Sequence, residues 1–518
     1  VGVHQNGASR FAASDLAALF MTGSGVLAID LTESQRAGKQ IYFRGVSPRE
    51  DKVSALLGDP PMKVSATILP CVNCHGVDGR GRPEGGVVPT VLGWESLTRT
   101  YGSTHGGRKH RRYDRDSFAR AVREGFDPSG NRLSAAMIRY EISDRALDDV
   151  VAYLEVIERD LDPGVDATTI RLTMLAPTDP RLAPLADAVR RVVVSRWEER
   201  NAAGGIFGRA VEVTSIALPP ETDRALEVLA EHCRTSEPFA LLAPLTPGFE
   251  SALRTFCEDR SIPLIAPLGQ PPADANTTHH VFHLLPGRED QTRALLEHLV
   301  EGWSELRPAV RLGLVGGNGD AAFLEDLTRR AVALGVPLKS ITVSENLEGS
   351  KTSTADRVLH LGDGQTIATE LWQAERAGTL PARVGMLGSQ VGPQLFTAPP
   401  RTVIEAAFPI VEAAQDPAVR RAHRLRLEQL GIERPALPLT VADAASTVLL
   451  KALEGAGKDL RREGLIRTLE GLYRVEVGLL PPITFGDGRR IGARGASIVR
   501  VDIEKRSLST VTAWREVR

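Results

Sequence analysis

The 518-residue chain predicts a multidomain protein in which an all-α unit precedes an α/β unit of two doubly wound parallel sheets. Three observations carry that prediction. Cys71-Val72-Asn73-Cys74-His75 sets two thiols and an imidazole in one short run between helical patterns. Leu161-Asp162-Pro163-Gly164-Val165-Asp166 then breaks the pattern with proline and glycine. Beyond it, apolar strands alternate with long helical segments, the mark of βαβ units.

The chain is too long for one domain. It divides into an N-terminal arm (1–31), a helical unit (32–160), a linker (161–167) and the α/β unit (168–518). Lobes of the last are expected over 168–285 with 408–472, and over 286–407 with 473–518. A net charge of -2 with 25% charged residues predicts no nucleic-acid partner. Phe11 to Ile29 is interrupted by Ser14, Asp15, Thr22 and Ser24 and reads as an amphipathic arm, so no segment is expected to span a membrane.

Within the helical unit the chemistry comes first. Two thiols spaced C-x-x-C can add to the two vinyl groups of one porphyrin, and the adjacent His75 becomes an axial iron ligand. One covalent haem c, held by Cys71 and Cys74, is therefore the expected cofactor. A zinc site would need further ligands at short spacing, and Cys233 and Cys257 lie far away. Met137, in Gly130-Asn131-Arg132-Leu133-Ser134-Ala135-Ala136-Met137, stands where a sixth ligand is wanted, with Met62 as the competitor. A His75/Met137 pair fills the iron's coordination and suits electron transfer rather than oxygen activation. No catalytic residue is expected, and the protein is not read as an enzyme.

These residues resemble the class I cytochrome c family over 32–160. Gly38-Lys39-Gln40-Ile41-Tyr42 looks like its first helix, and Ser143 to Arg159, with Val150, Val151, Tyr153, Leu154 and Ile157 at helical spacing, like its last. Tyr153 is placed to pack over Gly38. Gly76-Val77-Asp78-Gly79-Arg80-Gly81 matches the glycine-rich turn after the motif. The resemblance implies that the Pro89 carbonyl accepts the His75 ring N–H. It also implies a periplasmic location, reached with a signal peptide that the chain from Val1 does not include. Val46 to Pro70 is longer than in the shortest members and reads as an inserted loop or small helix. The run Arg108-Lys109-His110-Arg111-Arg112 offers a positive patch for an acidic electron-transfer partner.

The α/β half begins with the strand pattern Ile170 to Leu175 and the helix Pro184 to Asn201. Val211 to Ile216, Ala240 to Ala243 and Pro263 to Ala266 read as strands, separated by the helices Thr222 to Cys233 and Gly248 to Asp259. A second series runs from Val310 through Arg383 to Leu387. Asn201-Ala202-Ala203-Gly204-Gly205-Ile206-Phe207-Gly208-Arg209, Ser261 to Pro267 and Gly478 to Phe485 resemble, in order, segments of the type I periplasmic solute-binding proteins, which include receptors for leucine, isoleucine and valine.

In that family two lobes close on a small molecule at the strand carboxyl ends. The resemblance makes Thr178, Asp179, Thr246, Gly248, Gly269, Gln270, Asn318, Asp320, Asp363, Ser389 and Gln390 the candidates for the ligand cleft. Amino-acid receptors usually carry Ser and Thr hydroxyls in the first two cleft loops. Here Pro247, Gly248, Leu268 and Gly269 stand there, which points to a less polar or differently charged ligand, or to none that is transported. Cys233 and Cys257 are either a disulfide or two buried thiols. His279, His280 and His283 read as the polar face of a strand rather than a metal site.

The expectation is a periplasmic cytochrome that takes electrons from a dehydrogenase, by analogy a quinoprotein, and passes them on, with a fused module that binds a small molecule or docks a partner. The alternative is the receptor of an ABC-type uptake system, partnered by a permease, with an accessory or sensory haem.

Overall fold

Thr32 opens helix α1 (Glu33–Arg44) through a reciprocal cap: its hydroxyl accepts from the Gln35 N–H, and the Gln35 side chain accepts from the Thr32 N–H. Gly45, at φ +67°, ends it. The computed structural model describes residues 31–49, 52–58, 60–81, 87–100, 103–105 (backbone alone), 108–160, 162–303, 310–316, 321–345, 347, 356–362, 364–458 and 460–517. Apart from Leu31, the expected N-terminal arm lies outside them. The chain separates into Val1–Leu161 and Asp162–Arg518.

The first unit continues with strands β1 (Ser54–Leu57) and β2 (Met62–Ser65), helices α2 (Val72–His75) and α3 (Trp94–Leu97) and strands β3 (Ser103–His105) and β4 (Arg108–His110). Helix α4 (Arg115–Arg123), strand β5 (Arg139–Glu141) and helix α5 (Asp144–Leu154) complete it. Helices α1 and α5 cross at Gly38, where a Cβ would lie 1.8 Å from the Asp149 carbonyl oxygen and 2.8 Å from the Tyr153 Cβ. Glycine is required there because the two backbones touch. Tyr42, Leu147, Tyr153 and Ile157 are fully buried around the crossing. The Tyr42 hydroxyl donates to the Gly76 carbonyl at 2.7 Å, which ties α1 to the turn after His75.

Two expectations are corrected here. The unit is not all-α: β2-β1-β5 form an antiparallel sheet and β3-β4 a second pair. The stretch Val46 to Pro70 is neither a loop nor a small helix but the hairpin of β1 and β2, turned at Gly58 (φ +81°) and followed by one short 3-10 turn. Val53, Ser54, Ala55 and Tyr140 are buried in that sheet, and the ladders of β1 to β2 and to β5 hold the stretch extended. The last helix also ends earlier than expected, at Leu154, and the chain then turns to Asp160, which accepts from the Tyr153 hydroxyl (3.0 Å) and pairs with Lys39 (2.7 Å).

The second unit opens with β6 (Thr169–Pro177), α6 (Ala183–Ala202), β7 (Ala210–Leu218), α7 (Thr222–Ser236), β8 (Ala240–Leu242), α8 (Glu250–Asp259), β9 (Leu264–Ile265) and β10 (Val281–Phe282). Its sheet, ordered β10-β9-β8-β6-β7, is parallel throughout. Ala240, Leu241 and Leu242 are each fully buried, as a central parallel strand covered on both faces must be.

The second lobe contains α9 (Arg288–Leu299), β11 (Leu312–Val315), α10 (Ala321–Ala333), β12 (Ile341–Ser344), β13 (Arg357–His360), α11 (Ile367–Arg376), β14 (Arg383–Leu387) and β15 (Val403–Phe408). The chain returns to the first lobe through α12 (Pro417–Gln429), α13 (Leu437–Ala456), α14 (Arg462–Glu470), β16 (Val475–Val477) and β17 (Leu480–Ile483). It ends in the second lobe as β18 (Gly495–Asp502) and β19 (Ser507–Glu516), giving the order β12-β11-β13-β14-β15-β18-β19.

Val477, Leu480, Ile483 and Phe485 share the first lobe's core with α6 and α13, so the expected lobe boundary at 473 moves to the segment before β18. The expected linker also belongs to this unit: Asp162 accepts from the Arg462 N–H, and the Gly164 carbonyl accepts from that of Arg171. Three crossovers join the lobes. Two of them pair, with the His283 N–H donating to the Arg490 carbonyl and the Gly492 N–H to the His283 carbonyl, both at 2.8 Å.

Candidate functional sites

In the first unit the sequence-predicted residues converge on one cavity of about 410 Å³. Cys71, Cys74 and His75, presented by the single turn of α2, line it together with Met137. Most of the remaining wall is apolar, including Ile41, Leu97, Phe118, Leu147, Val150 and Leu154. Met62 is not among the lining residues and is 62% exposed, so of the two candidate methionines Met137 shares the cavity with His75.

His75 is 7% exposed, and its Nδ1 lies 2.9 Å from the Thr90 carbonyl oxygen. The expected partner, the Pro89 carbonyl, is corrected to the next residue. The Pro89 oxygen faces Gly81, where a Cβ would approach it to 2.6 Å, and successive carbonyls of an extended segment point to opposite sides. Burial pushes the Cys71 thiol up to about 12, the opposite of the lowered value that marks a redox or metal thiolate.

Arg108 departs from the surface patch expected of it. It lines the cavity, and its buried Nη1 has no hydrogen bond and lies 3.6 Å from Asp127. Lys109, Arg111 and Arg112 are exposed. Tyr140, on β5, also lines the cavity and donates to the Leu69 carbonyl at 2.6 Å, joining the segment after Met137 to the approach to Cys71.

In the second unit the candidates are dispersed. Thr178 and Asp179 follow β6, where Asp179 is committed to Arg181, which holds its carboxyl below the usual range. Thr246 follows β8, 6% exposed, with a buried hydroxyl that has no hydrogen-bond partner. Gly248 takes φ +80°, a conformation that favours glycine. Ser389 is exposed, whereas Gln390 is a structural brace, accepting from the Leu387 N–H and donating to the Gly362 carbonyl. Asn318, Asp320 and Asp363 lie outside the described residues. Gly269 and Gln270 line a cavity of about 220 Å³ in the first lobe, with Glu250, Ser251, Arg254 and His283.

The histidine triplet divides. His279 and His280 turn to Glu463, with ligand-type atoms within 4.8 Å of one another. Arg490 reaches Nδ1 of His279 at 3.3 Å, leaving the ring proton on Nε2, 3.0 Å from Glu463. These groups thus close a hydrogen-bond network. His283, two positions beyond Val281, faces the 220 Å³ cavity instead. Cys233 and Cys257 are free thiols.

A family model described as periplasmic binding protein matches residues 169–507. The chain belongs to the periplasmic binding protein family. Among solved structures, a putative branched-chain amino acid ABC transporter protein from Rhodospirillum rubrum is 14% identical at TM-score 0.52, over 67% of this chain and all (100%) of that one. A fatty acid ABC transporter substrate-binding protein from Thermomonospora curvata is 18% identical at TM-score 0.49, over 69% and 94% of the two chains. A search of the curated proteins finds no match. As a periplasmic binding protein, the chain is a ligand-binding protein and not an enzyme, and the family match lies within the second unit. Among the described residues no helix is long and apolar enough to cross a membrane.

Proposed function

We propose that this protein is the substrate-capturing receptor of an ABC-type uptake system, with a covalent haem in its first unit. The observation that carries the receptor reading is the family match over 169–507, together with two α/β lobes joined by three crossovers. One sheet is parallel throughout; the other is parallel from β12 to β15, with β18 and β19 added antiparallel, against the expectation of two wholly parallel sheets. This reverses the ranking expected from the sequence, where electron transfer led. A permease would be the partner, reading the closed form of the lobes. Small-angle scattering of the full chain tests it: compaction on adding a ligand found by thermal-shift screening supports a receptor, and unchanged dimensions at saturation argue against one.

The residues of the first cavity fit a haem. Cys71 and Cys74 would supply the two thioether links, His75 a nitrogen for the iron, oriented by the Thr90 carbonyl, and Met137 a sulfur on the same cavity. Arg108, ion-paired with Asp127 at 3.6 Å, keeps a buried Nη1 with no hydrogen bond, suited to a porphyrin carboxylate. A haem so held supplies one-electron chemistry. The apolar wall excludes water, and the His75 tautomer is set by the carbonyl on Nδ1. Colour retained after acid-acetone extraction of the denatured protein supports covalent attachment, and colour lost to the solvent removes it. Electron transfer with a periplasmic donor remains the second reading, favoured by the shared placement of His75 and Met137.

A further inference from the structure

The first lobe holds a polar group that its own structure leaves unsatisfied. His283 is 6% exposed, and neither ring nitrogen has a hydrogen-bond partner. The residue follows β10 and begins a crossover, where its backbone is fully used: the N–H donates to Arg490 and the carbonyl accepts from Gly492. Only the ring is unpaired, and it walls the cavity of about 220 Å³ between α8 and the ends of β9 and β10. Burial, with the Arg254 guanidinium nearby, pulls its pKa from 6.5 to about 4, so the ring is neutral at physiological pH. A neutral imidazole carries one N–H donor and one bare nitrogen acceptor. Leaving such groups buried and unpaired is unfavourable, and an occupant that supplies partners removes the penalty.

The cavity's other walls narrow the occupant's chemistry. Leu253, Leu264, Val281, Pro267 and Pro272 are apolar and suit a short hydrocarbon body. Charges of both signs line the cavity: Glu250 on the first turn of α8, and Arg254 one turn on, near the ring and paired with Asp274. A carboxylate would meet Glu250 and could only accept from the ring. An alkylammonium would meet Arg254 and could only donate. An uncharged head that both donates and accepts meets neither repulsion and matches either tautomer of His283.

We propose that this first-lobe cavity is a ligand site for a small aliphatic molecule with an uncharged donor-acceptor head, an alcohol or a primary amide, recognised by His283. The inference rests on the receptor reading and names the class of molecule received. Every lining residue belongs to the first lobe, so binding here precedes lobe closure and does not require it.

The test is calorimetric titration of the full chain with four compounds of one carbon skeleton: 3-methylbutan-1-ol, 3-methylbutanamide, 3-methylbutanoate and 3-methylbutylamine. The alcohol or the amide should bind saturably, and the tighter of the two identifies the head. The carboxylate and the ammonium should be weaker by about tenfold or more. His283→Leu should erase that preference while the melting temperature holds or rises, and His283→Gln, which keeps a neutral donor and acceptor, should retain part of it. Equal or tighter binding of a charged member, no binding of any member, or unchanged alcohol and amide binding in folded His283→Leu overturns the proposal. Scattering separates the two readings. Compaction with some other ligand but no binding of this series defeats only the cavity proposal. Binding of the series when no ligand compacts the chain defeats the receptor reading and leaves the cavity.

Discussion

The two units build their sites in opposite ways. In the first, Cys71, Cys74 and His75 lie on one helical turn, and a single distant residue, Met137, is brought to the same cavity. In the second, the candidate positions sit at the ends of separate strands, and the cavity of the first lobe draws on α8, the loop after β9 and the crossover after β10. A site meant for the proposed haem, held by two thioether links and a histidine nitrogen, would need short, rigid spacing, which local sequence provides. A cleft that closes on a mobile ligand needs groups on two lobes free to move, which only topology provides. The difference teaches where each unit is vulnerable: the first at one helix crossing and one motif, the second at its shared core and hinge.

The largest expected effect breaks one unit and leaves the other. Gly38→Ala forces a Cβ against the Asp149 carbonyl, and overpacking at a backbone contact costs about 3 kcal/mol or more. Calorimetry should show the first unit's transition lowered or lost, with that of the second unchanged; one transition moving as a whole would refute the independence of the two units. Leu449→Ala, fully buried on α13, is the converse and should cost about 2 to 5 kcal/mol in the second unit alone.

A smaller effect sharpens the contrast through pH. Burial alone would lower the His280 pKa, but a hydrogen bond to Glu258 and the Glu463 carboxylate 3.7 Å from its Nε2 outweigh it and raise the value. The stability His280 contributes is therefore complete below its unfolded pKa of about 6.5 and is lost as pH rises through the higher folded value. For Glu463, burial is outweighed by the hydrogen bond from His279 and by the nearby His280 ring, which hold it well below 4.5. Its contribution is present above its unfolded pKa of about 4.3 and is lost as pH falls through the lower folded value. Thermal melts across pH should show the second unit declining on the alkaline side, and Glu463→Gln should flatten that decline; an identical profile in the variant would exclude the network as its cause.

The smallest change tests the proposed haem through the methionine assigned to it. Met137→Ala should remove the weak sulfur-to-iron band at the red end of the oxidised spectrum and leave both transitions nearly in place, since Met137 is only partly buried. Met62→Ala should leave the band, because Met62 is exposed on β2 away from the cavity. The reverse pattern would assign the ligand to Met62.

Legibility in the sequence follows the same division. The crossing of Gly38 under Tyr153, the gathering of Cys71, Cys74, His75 and Met137, and the alternation of strands and helices after Asp166 were all readable, because each depends on spacing within one or two elements. The hairpin at Ser54 to Ser65 was not readable apart from the Gly58 turn, because Ser54 to Leu57 does not alternate and its partner β5 lies far along the chain. The Thr90 carbonyl at His75 was not readable, since one residue of register in an extended segment reverses which carbonyl faces the ring.

By itself the sequence determined the two-unit plan, the βαβ order and the placement of Cys71, Cys74 and His75 on one turn, all set by local periodicity and spacing. Tertiary structure alone decided which of three neighbouring histidines meets a carboxylate and which meets a cavity. It also decided that Arg108 turns inward, that Gln390 is spent on the backbone, and that the segment from 473 to 485 joins the first lobe. Those outcomes depend on what packs opposite each side chain, supplied by other elements of the fold, from Leu387 beside Gln390 to Glu463, 184 positions beyond His279, through burial and hydrogen bonding that no local pattern encodes.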